Sequence, residues 1–391
     1  MDISLYFEAI DISNFDNQDD YLPTSLGEVI KTFTTDSSFP DLKDTDIALI
    51  GVKEDRNAVN NEGCGDGPDY VRNKLYQLYQ GAFDAKITDL GNIAKGDKIE
   101  DTYFALSTVI GELLKENIVP VILGGSQDLT YANYAAYENV KQTINMAVVG
   151  STFDLGVAGQ ELDSKSFLSK IILHQPNYLF NYSNIGYQSY LVDQNALELM
   201  NKLYFDVYRL GYVQNNLQEV EPIVRNVDVL SFDISSIRQS DAPGNKNTSP
   251  NGFYGEEACQ IMRYAGMSDK LTTVGIYDFN PDFDHHHQTA HLIAQMIWYF
   301  IEGFYNRKQD YPVGDKSKYT KYRAIIKDGN HEIQFYKSNK SDRWWMNVPY
   351  PASEKLKYER HHLIPCSYHD YEMALKDEVP DRWLQAYKKL S

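Results

Sequence analysis

Short apolar runs alternate with amphipathic stretches from about Ile47 to Gly303, and this constrains the fold more than any other feature of the chain. Apolar runs bounded by turn residues read as strands buried on both faces, and the longer amphipathic stretches read as helices. Strands alternating with helices predict a mostly parallel sheet between helical layers. The expected strands are Ile47 to Val52, Ile118 to Leu123, Asn145 to Val149, Val227 to Asp233 and Leu271 to Phe279. Pro68 stands where a first helical residue would, with Val71, Leu75, Leu78 and Tyr79 following at helical spacing. A second helix carries Phe104, Val109, Ile110, Leu113 and Leu114 on one side. Ligands of open α/β sheets sit beyond the carboxyl ends of the strands. Four loops are therefore expected to converge on one crevice: Gly124 to Thr130, Gly150 to Gly156, Asp233 to Gly244 and Asp278 to Asp284.

Composition narrows the partners. A hydrophobic fraction of 42% in 391 residues suffices for a full core. A net charge of −18 argues against nucleic acid, which binds cationic surfaces, and equally against an anionic membrane. No apolar run approaches the roughly 18 residues of a membrane span. Met1 to Leu5 lacks the basic start and apolar stretch of a secretory leader, so a cytoplasmic location is expected. Cys64, Cys259 and Cys366 are few, odd in number and far apart, which fits a reducing compartment and neither a disulfide framework nor a zinc site.

Three segments are expected: residues 1–44, an α/β domain over 45–305, and an extension over 306–391 packed on that domain. The extension should hold a hairpin from Tyr322 to Tyr336 turning at Asp328-Gly329-Asn330, then a basic and aromatic stretch containing Trp344-Trp345. A last helix should begin at Pro380.

The four loops also carry a specific resemblance. Gly124-Gly125-Ser126-Gln127-Asp128-Leu129-Thr130 is similar to Gly-Gly-Asp-His-Ser-Leu-Thr, and Val149-Gly150-Ser151-Thr152-Phe153-Asp154-Leu155 to a segment ending Asp-Ala-His-Phe-Asp-Leu. Ser231-Phe232-Asp233-Ile234-Ser235, followed by Asp241-Ala242-Pro243-Gly244, resembles Ser-Phe-Asp-Val-Asp…Ala-Pro-Gly. Tyr277-Asp278-Phe279-Asn280-Pro281 resembles Glu-Val-Asn-Pro, and Gly63 to Arg72 and Asp89-Leu90-Gly91-Asn92 add two further matches. In this order, the motifs are those of the ureohydrolases: arginase, agmatinase and formimidoylglutamase. Asp284, Thr289-Ala290 and Ile185-Gly186-Tyr187-Gln188 look most like the formimidoylglutamase branch. The resemblance implies a three-layer arginase-type α/β fold with a mostly parallel central sheet, here with a C-terminal extension. It also allows a homo-oligomer.

It further implies two manganese ions held by two histidines and four aspartates, activating a bridging hydroxide. The matching positions are Gln127, Gly150, Thr152, Asp154, Asp233 and Ser235, so two of the six ligand types remain. Asp278 matches the carboxylate that orients the substrate's guanidino or imino nitrogen, usually a glutamate. Even an outer-shell partner is worth about 10–100-fold in metal affinity. Two carboxylates cannot offset the mutual repulsion of two dications. The leading expectation is a catalytically inactive ureohydrolase-like protein without a cofactor, retained to bind a protein partner or a small polar ligand.

The alternative is a hydrolase of a C–N bond in an amidine or guanidine substrate. Asp128, Asp154 and Asp233 would hold one manganese or other divalent cation, with Asp278 orienting the substrate. Plainer roles are expected for the same residues. Asp128 would cap the helix that follows it, Asp241 would shape a turn, and Asp154 and Asp233 would accept backbone hydrogen bonds. His285, His286, His287 and His291 form a tempting metal cluster, but helix capping or solvation is the expectation. His361-His362 should lie at the surface, and Cys64 has no base nearby in sequence to make it a nucleophile. Trp344-Trp345 suits either a partner anchor or internal packing.

Overall fold

A computed structural model describes residues 2–16, 20–157, 159–312, 316–326, 331–351, 353 and 358–390. Ten strands among them form the central sheet: β1 (Phe7–Glu8), β2 (Lys31–Thr32), β3 (Ile47–Val52), β4 (Ile87–Ile93), β5 (Val119–Leu123), β6 (Ile144–Val149), β7 (Leu179–Tyr187), β8 (Asp206–Arg209), β9 (Val229–Asp233) and β10 (Thr273–Tyr277). They run β1-β4-β3-β5-β10-β9-β6-β7-β8 across the sheet, with β2 beside β4. All pairings are parallel except β1 with β4. The mostly parallel sheet expected from the alternation is observed.

The five strands legible in the sequence are buried along their whole length, as is β4. Both faces of such strands meet helices, and the five read as mostly apolar runs. Strands β4 and β7 were not legible because they bury polar residues, among them Asp89, Asn92, Asn181, Ser183 and Asn184. Asp89 is held by Arg72, whose Nε and Nη2 donate to its two oxygens at 2.8 and 2.9 Å. A two-pronged pair of this kind satisfies a buried carboxylate. The early Arg72 motif and the Asp89 motif thus serve one structural joint.

Helices α1 (Gly67–Leu75), α2 (Ile99–Lys115), α3 (Leu129–Asn139), α4 (Phe167–Leu173), α5 (Gly255–Gly266) and α6 (Gln288–Tyr305) make the outer layers. Val71, Ile261, Met262, Ile293 and Ile297 of α1, α5 and α6 pack on Leu49, Val121 and Leu230. Leu106, Val109 and Leu129 of α2 and α3 pack on Ala48, Ile50 and Ile122 of the opposite face. Neighbouring residues of β3 therefore feed different layers, as strand alternation requires. Helix α1 carries Pro68 in its first turn, as expected, but ends at Leu75, short of Tyr79. Among the described residues, no helix is long and apolar enough to cross a membrane.

The extension forms a separate antiparallel sheet, β11 (Tyr319–Ile326), β12 (His331–Ser338), β13 (Trp344–Asn347) and β14 (Leu363–Cys366), followed by α7 (Tyr368–Leu375) and α8 (Asp381–Leu390). Strands β11 and β12 are the expected hairpin; its turn at Asp328-Gly329-Asn330 lies outside the described residues. Trp344 and Trp345 are buried in β13. The sheet is fastened to the main body by Arg225, which donates to the Trp344 and Cys366 carbonyls at 3.2 Å. Arg360 also pairs with Asp228, just before β9. His361, expected at the surface, is 1% exposed and stacks on Phe180 at 3.9 Å between ring centres. The correction follows from where the extension lands. It lands at the amino ends of β6, β7, β8 and β9, which the sequence alone does not reveal.

Candidate functional site

Strands β5, β10, β9 and β6 are consecutive in the sheet, so the four loops leave from adjacent ends. Pairing of Ile276 with Leu123, Tyr277 with Asp233 and Val149 with Phe232 sets those ends level. The loops are also laced together. Asp278 N donates to the Gly125 carbonyl at 2.7 Å, and Gln127 N donates to Asp278 Oδ1 at 3.0 Å. Gly125 is needed where this loop passes the segment after β3, since an added Cβ would fall 1.8 Å from the Glu54 carbonyl oxygen.

The residues matched to metal ligands meet at this floor, but as a different chemistry. Gln127 is buried, donates through Nε2 to Ser231 Oγ at 2.8 Å, and leaves Oε1 without a hydrogen-bond partner. Thr152 Oγ1 donates to Asp154 Oδ1 at 2.8 Å. Ser235 donates to Asp233 through its backbone N at 2.7 Å and its Oγ at 2.6 Å. Thr152 and Ser235 therefore occupy lone pairs of the two surviving aspartates. At Gly150 an added Cβ would meet Val148 Cγ1 first, at 3.3 Å, so crowding by backbone does not enforce this glycine.

The cation at the floor is a lysine. Lys165 Nζ lies 3.7 Å from Asp154 Oδ1 and 3.8 Å from Asp233 Oδ2, with its side chain 30% exposed. Burial alone would lower its pKa, but Asp154, Asp233 and Asp278 together hold the ammonium above the ordinary lysine range. Burial raises the Asp154 carboxyl above its usual range against the pull of Lys165. Burial and the charge of Asp233 push the Asp278 carboxyl well above that range. Asp154 and Asp278 both have positive φ, 50° and 66°, a region that aspartate tolerates better than most residues. One oxygen of each, Asp154 Oδ2 and Asp278 Oδ2, is buried without a hydrogen-bond partner.

Lys165 is delivered by a pinned loop between β6 and α4. Ser164 N donates to the Asn57 carbonyl at 3.0 Å, and Ser164 Oγ accepts from Val59 N at 2.9 Å. Lys165 N donates to Asp163 Oδ1, and Ser166 Oγ donates to the Glu161 carbonyl, both at 2.9 Å. A pocket of about 270 Å³, lined in part by Thr152, Asp154, Lys165, Leu191 and Val192, opens the floor to solvent. Sequence reasoning missed Lys165. The available signal was that it is the first cationic residue after Asp154.

The other candidates lie apart from this cluster. Asp128 accepts hydrogen bonds from Tyr103 Oη and Ser126 Oγ, and its side chain makes no helix-cap bond. Asp241 accepts from Arg238 Nε at 2.8 Å and Gly255 N at 2.9 Å, joining its loop to α5. The start of α6 is capped by Asp284, which accepts from Thr289 N and Ala290 N at 2.7 and 2.9 Å. His285, His286 and His291 face solvent, and His287 precedes the helix with a left-handed backbone. Cys64 is buried, and burial beside Asp278 and Asp55 pushes its thiol pKa up, away from nucleophilic use. Among the described residues, no three His, Cys, Asp or Glu side chains are grouped to hold a metal ion. The donors present do not fit a pair of divalent ions.

A model of the arginase family matches residues 45–302, the span that contains the whole crevice. This chain belongs to the arginase family. It is 22% identical over 273 residues to the formimidoylglutamase of Staphylococcus haemolyticus, covering 66% of this chain and 86% of that protein. To the formimidoylglutamase of Streptococcus pyogenes it is 24% identical over 310 residues, covering 73% and 93%. Trypanosoma cruzi formiminoglutamase, solved with Mn2+, superposes with a TM-score of 0.64 at 18% identity over 72% of this chain and 99% of that one. The Bacillus subtilis formimidoylglutamase gives 0.64 at 17% identity over 77% and 96%. Within the arginase family, then, the chain is formimidoylglutamase-like.

Proposed function

We propose that this arginase-family chain works without a metal pair and that its crevice serves as a binding scaffold for a small polar ligand or a protein partner. The observation that carries this reading is the Lys165 ammonium seated between Asp154 and Asp233. Dimetal hydrolysis needs two close dications to lower the pKa of a bridging water. An ammonium provides no open coordination position and cannot do so. The unpartnered oxygens of Gln127, Asp154 and Asp278 support a ligand that donates hydrogen bonds, since buried polar atoms are rarely left unbonded. The test is metal analysis of purified protein together with assays on formiminoglutamate, agmatine and arginine. The reading expects neither two equivalents of manganese nor turnover; both together would overturn it.

The relatives favour a second reading, and favour it over the first: a hydrolase of a C–N bond in an amidine or guanidine substrate. The names of the Staphylococcus and Streptococcus relatives, matched over 86% and 93% of their lengths, support it. Asp278 would orient the substrate nitrogen, and a single cation would replace Lys165 on Asp154 and Asp233. Asp154→Ala and Asp233→Ala separate the readings. Activity is abolished by both if the chain is a hydrolase, whereas ligand or partner binding alone changes if it is a scaffold.

A further inference from the structure

We infer that Lys165 is a covalently attached substitute for a divalent cation, and that it bars such ions from carboxylates that would otherwise take one. The inference rests on the crevice working without a metal pair. Three observations converge on it. The ammonium forms ion pairs with both aspartates matched to metal ligands, at nearly equal distances of 3.7 and 3.8 Å. Asp154 Oδ2 and Asp278 Oδ2, on carboxylates whose charge acts on the ammonium, and Gln127 Oε1 in the same floor are buried acceptors with no hydrogen-bond partner, so the floor offers more oxygen than one lysine uses. The backbone on either side of the lysine is fixed by Ser164 and Ser166, both buried, so the charge is delivered to one place.

Hard oxygen donors of this kind suit manganese or magnesium. What stands against an ion is the fixed ammonium, because like charges at about 4 Å repel strongly wherever water is partly excluded. Removing the amine leaves Asp154 and Asp233 as neighbouring carboxylates with the Ser235 hydroxyl beside Asp233, a site for one dication completed by water.

The experiment uses full-length protein and Mn2+ alone as the probe, read by calorimetric titration, by loss of the free Mn2+ paramagnetic signal and by Tm. Wild type and Lys165→Arg are expected to take up no Mn2+ in the crevice. Lys165→Ala is expected to bind one equivalent at least about 100-fold more tightly than wild type, with a Tm that rises on addition of the ion. Asp233→Asn in the Lys165→Ala background should abolish the gain. A Lys165→Ala protein that folds only when Mn2+ is present supports the inference equally. The inference is overturned if Lys165→Ala binds no better than wild type, or stays unfolded both with and without Mn2+. Metal-independent turnover by wild type would overturn the functional reading and leave this inference standing. Failure of the variant to bind Mn2+ does the reverse.

Discussion

Strand β9 is bracketed by two buried aspartates, each with both oxygens bonded, whose surroundings differ. Asp228, before its first residue, accepts from Asn145 N at 2.8 Å and is capped by Arg360 from the extension. Asp233, at its last residue, shares a floor with Asp154 and Asp278, each of which has an unbonded buried oxygen, and its cation stands back at 3.8 Å. Filling the lone pairs of Asp228 avoids a cost of about 1–3 kcal/mol for an unfilled buried acceptor. The floor at the carboxyl ends carries that cost and adds two positive-φ aspartates to it. Under-bonded, strained groups of this kind gather at ligand sites. The comparison fits a crevice kept for a ligand that donates hydrogen bonds.

The comparison can be broken most directly at Asp228. Asp228→Ala strands the Asn145 N–H and the Arg360 guanidinium, and about 3 kcal/mol of stability should be lost in urea unfolding. A loss below about 1 kcal/mol would remove the contrast.

Next in size is Lys270, 7% exposed and close to Asp228, whose pKa burial lowers to about 8 despite the pull of that carboxylate. Because the folded value lies below the unfolded one, the charged lysine destabilises the protein below pH 8, and this penalty is relieved as pH rises from 8 towards 10.5. Lys270→Met should thus be more stable than wild type by about 2 kcal/mol at pH 7, with the advantage shrinking over that window. An advantage that does not vary with pH would mean that Lys270 is not the titrating group.

The smallest effect is expected at the crevice. Asp278→Asn replaces a carboxyl whose pKa burial and Asp233 raise. The unfolded chain ionises first as pH climbs above the ordinary carboxylate value of 3.8, so wild type loses stability relative to the variant across that rise. The variant should match wild type near pH 3.8 and exceed it by on the order of 1 kcal/mol at pH 7. If Asp278→Asn proved as damaging as Asp228→Ala, the floor would be structural after all.

Much of this molecule was legible before its structure. The buried strands made mostly of apolar residues announced themselves as apolar runs, and parallel alternation showed which ends carry loops. The convergence of Gln127, Asp154, Asp233 and Asp278 followed from that. What stayed hidden depended on long-range partners. Strand β4 hides behind Asp89, which is polar in sequence yet neutralised by Arg72 from another element. His361 read as a surface residue because nothing local says that the extension folds back over it. Lys165 escaped notice because a lone lysine in a loop is ordinary until its neighbours are known. Its meaning comes from two strand ends distant in sequence.

Arg360 carries one more consequence, for synthesis. The start of β9 is buried together with Asp228 just before it, and the guanidinium that pairs with this acid lies 132 positions later. A ribosome releases Asp228 long before Arg360, at a rate of roughly 5–20 residues per second. Until then the anion at the base of the nascent sheet has the Asn145 N–H and nearby Lys270, but not its guanidinium partner. Final closure is thus deferred until the tail of the polypeptide emerges.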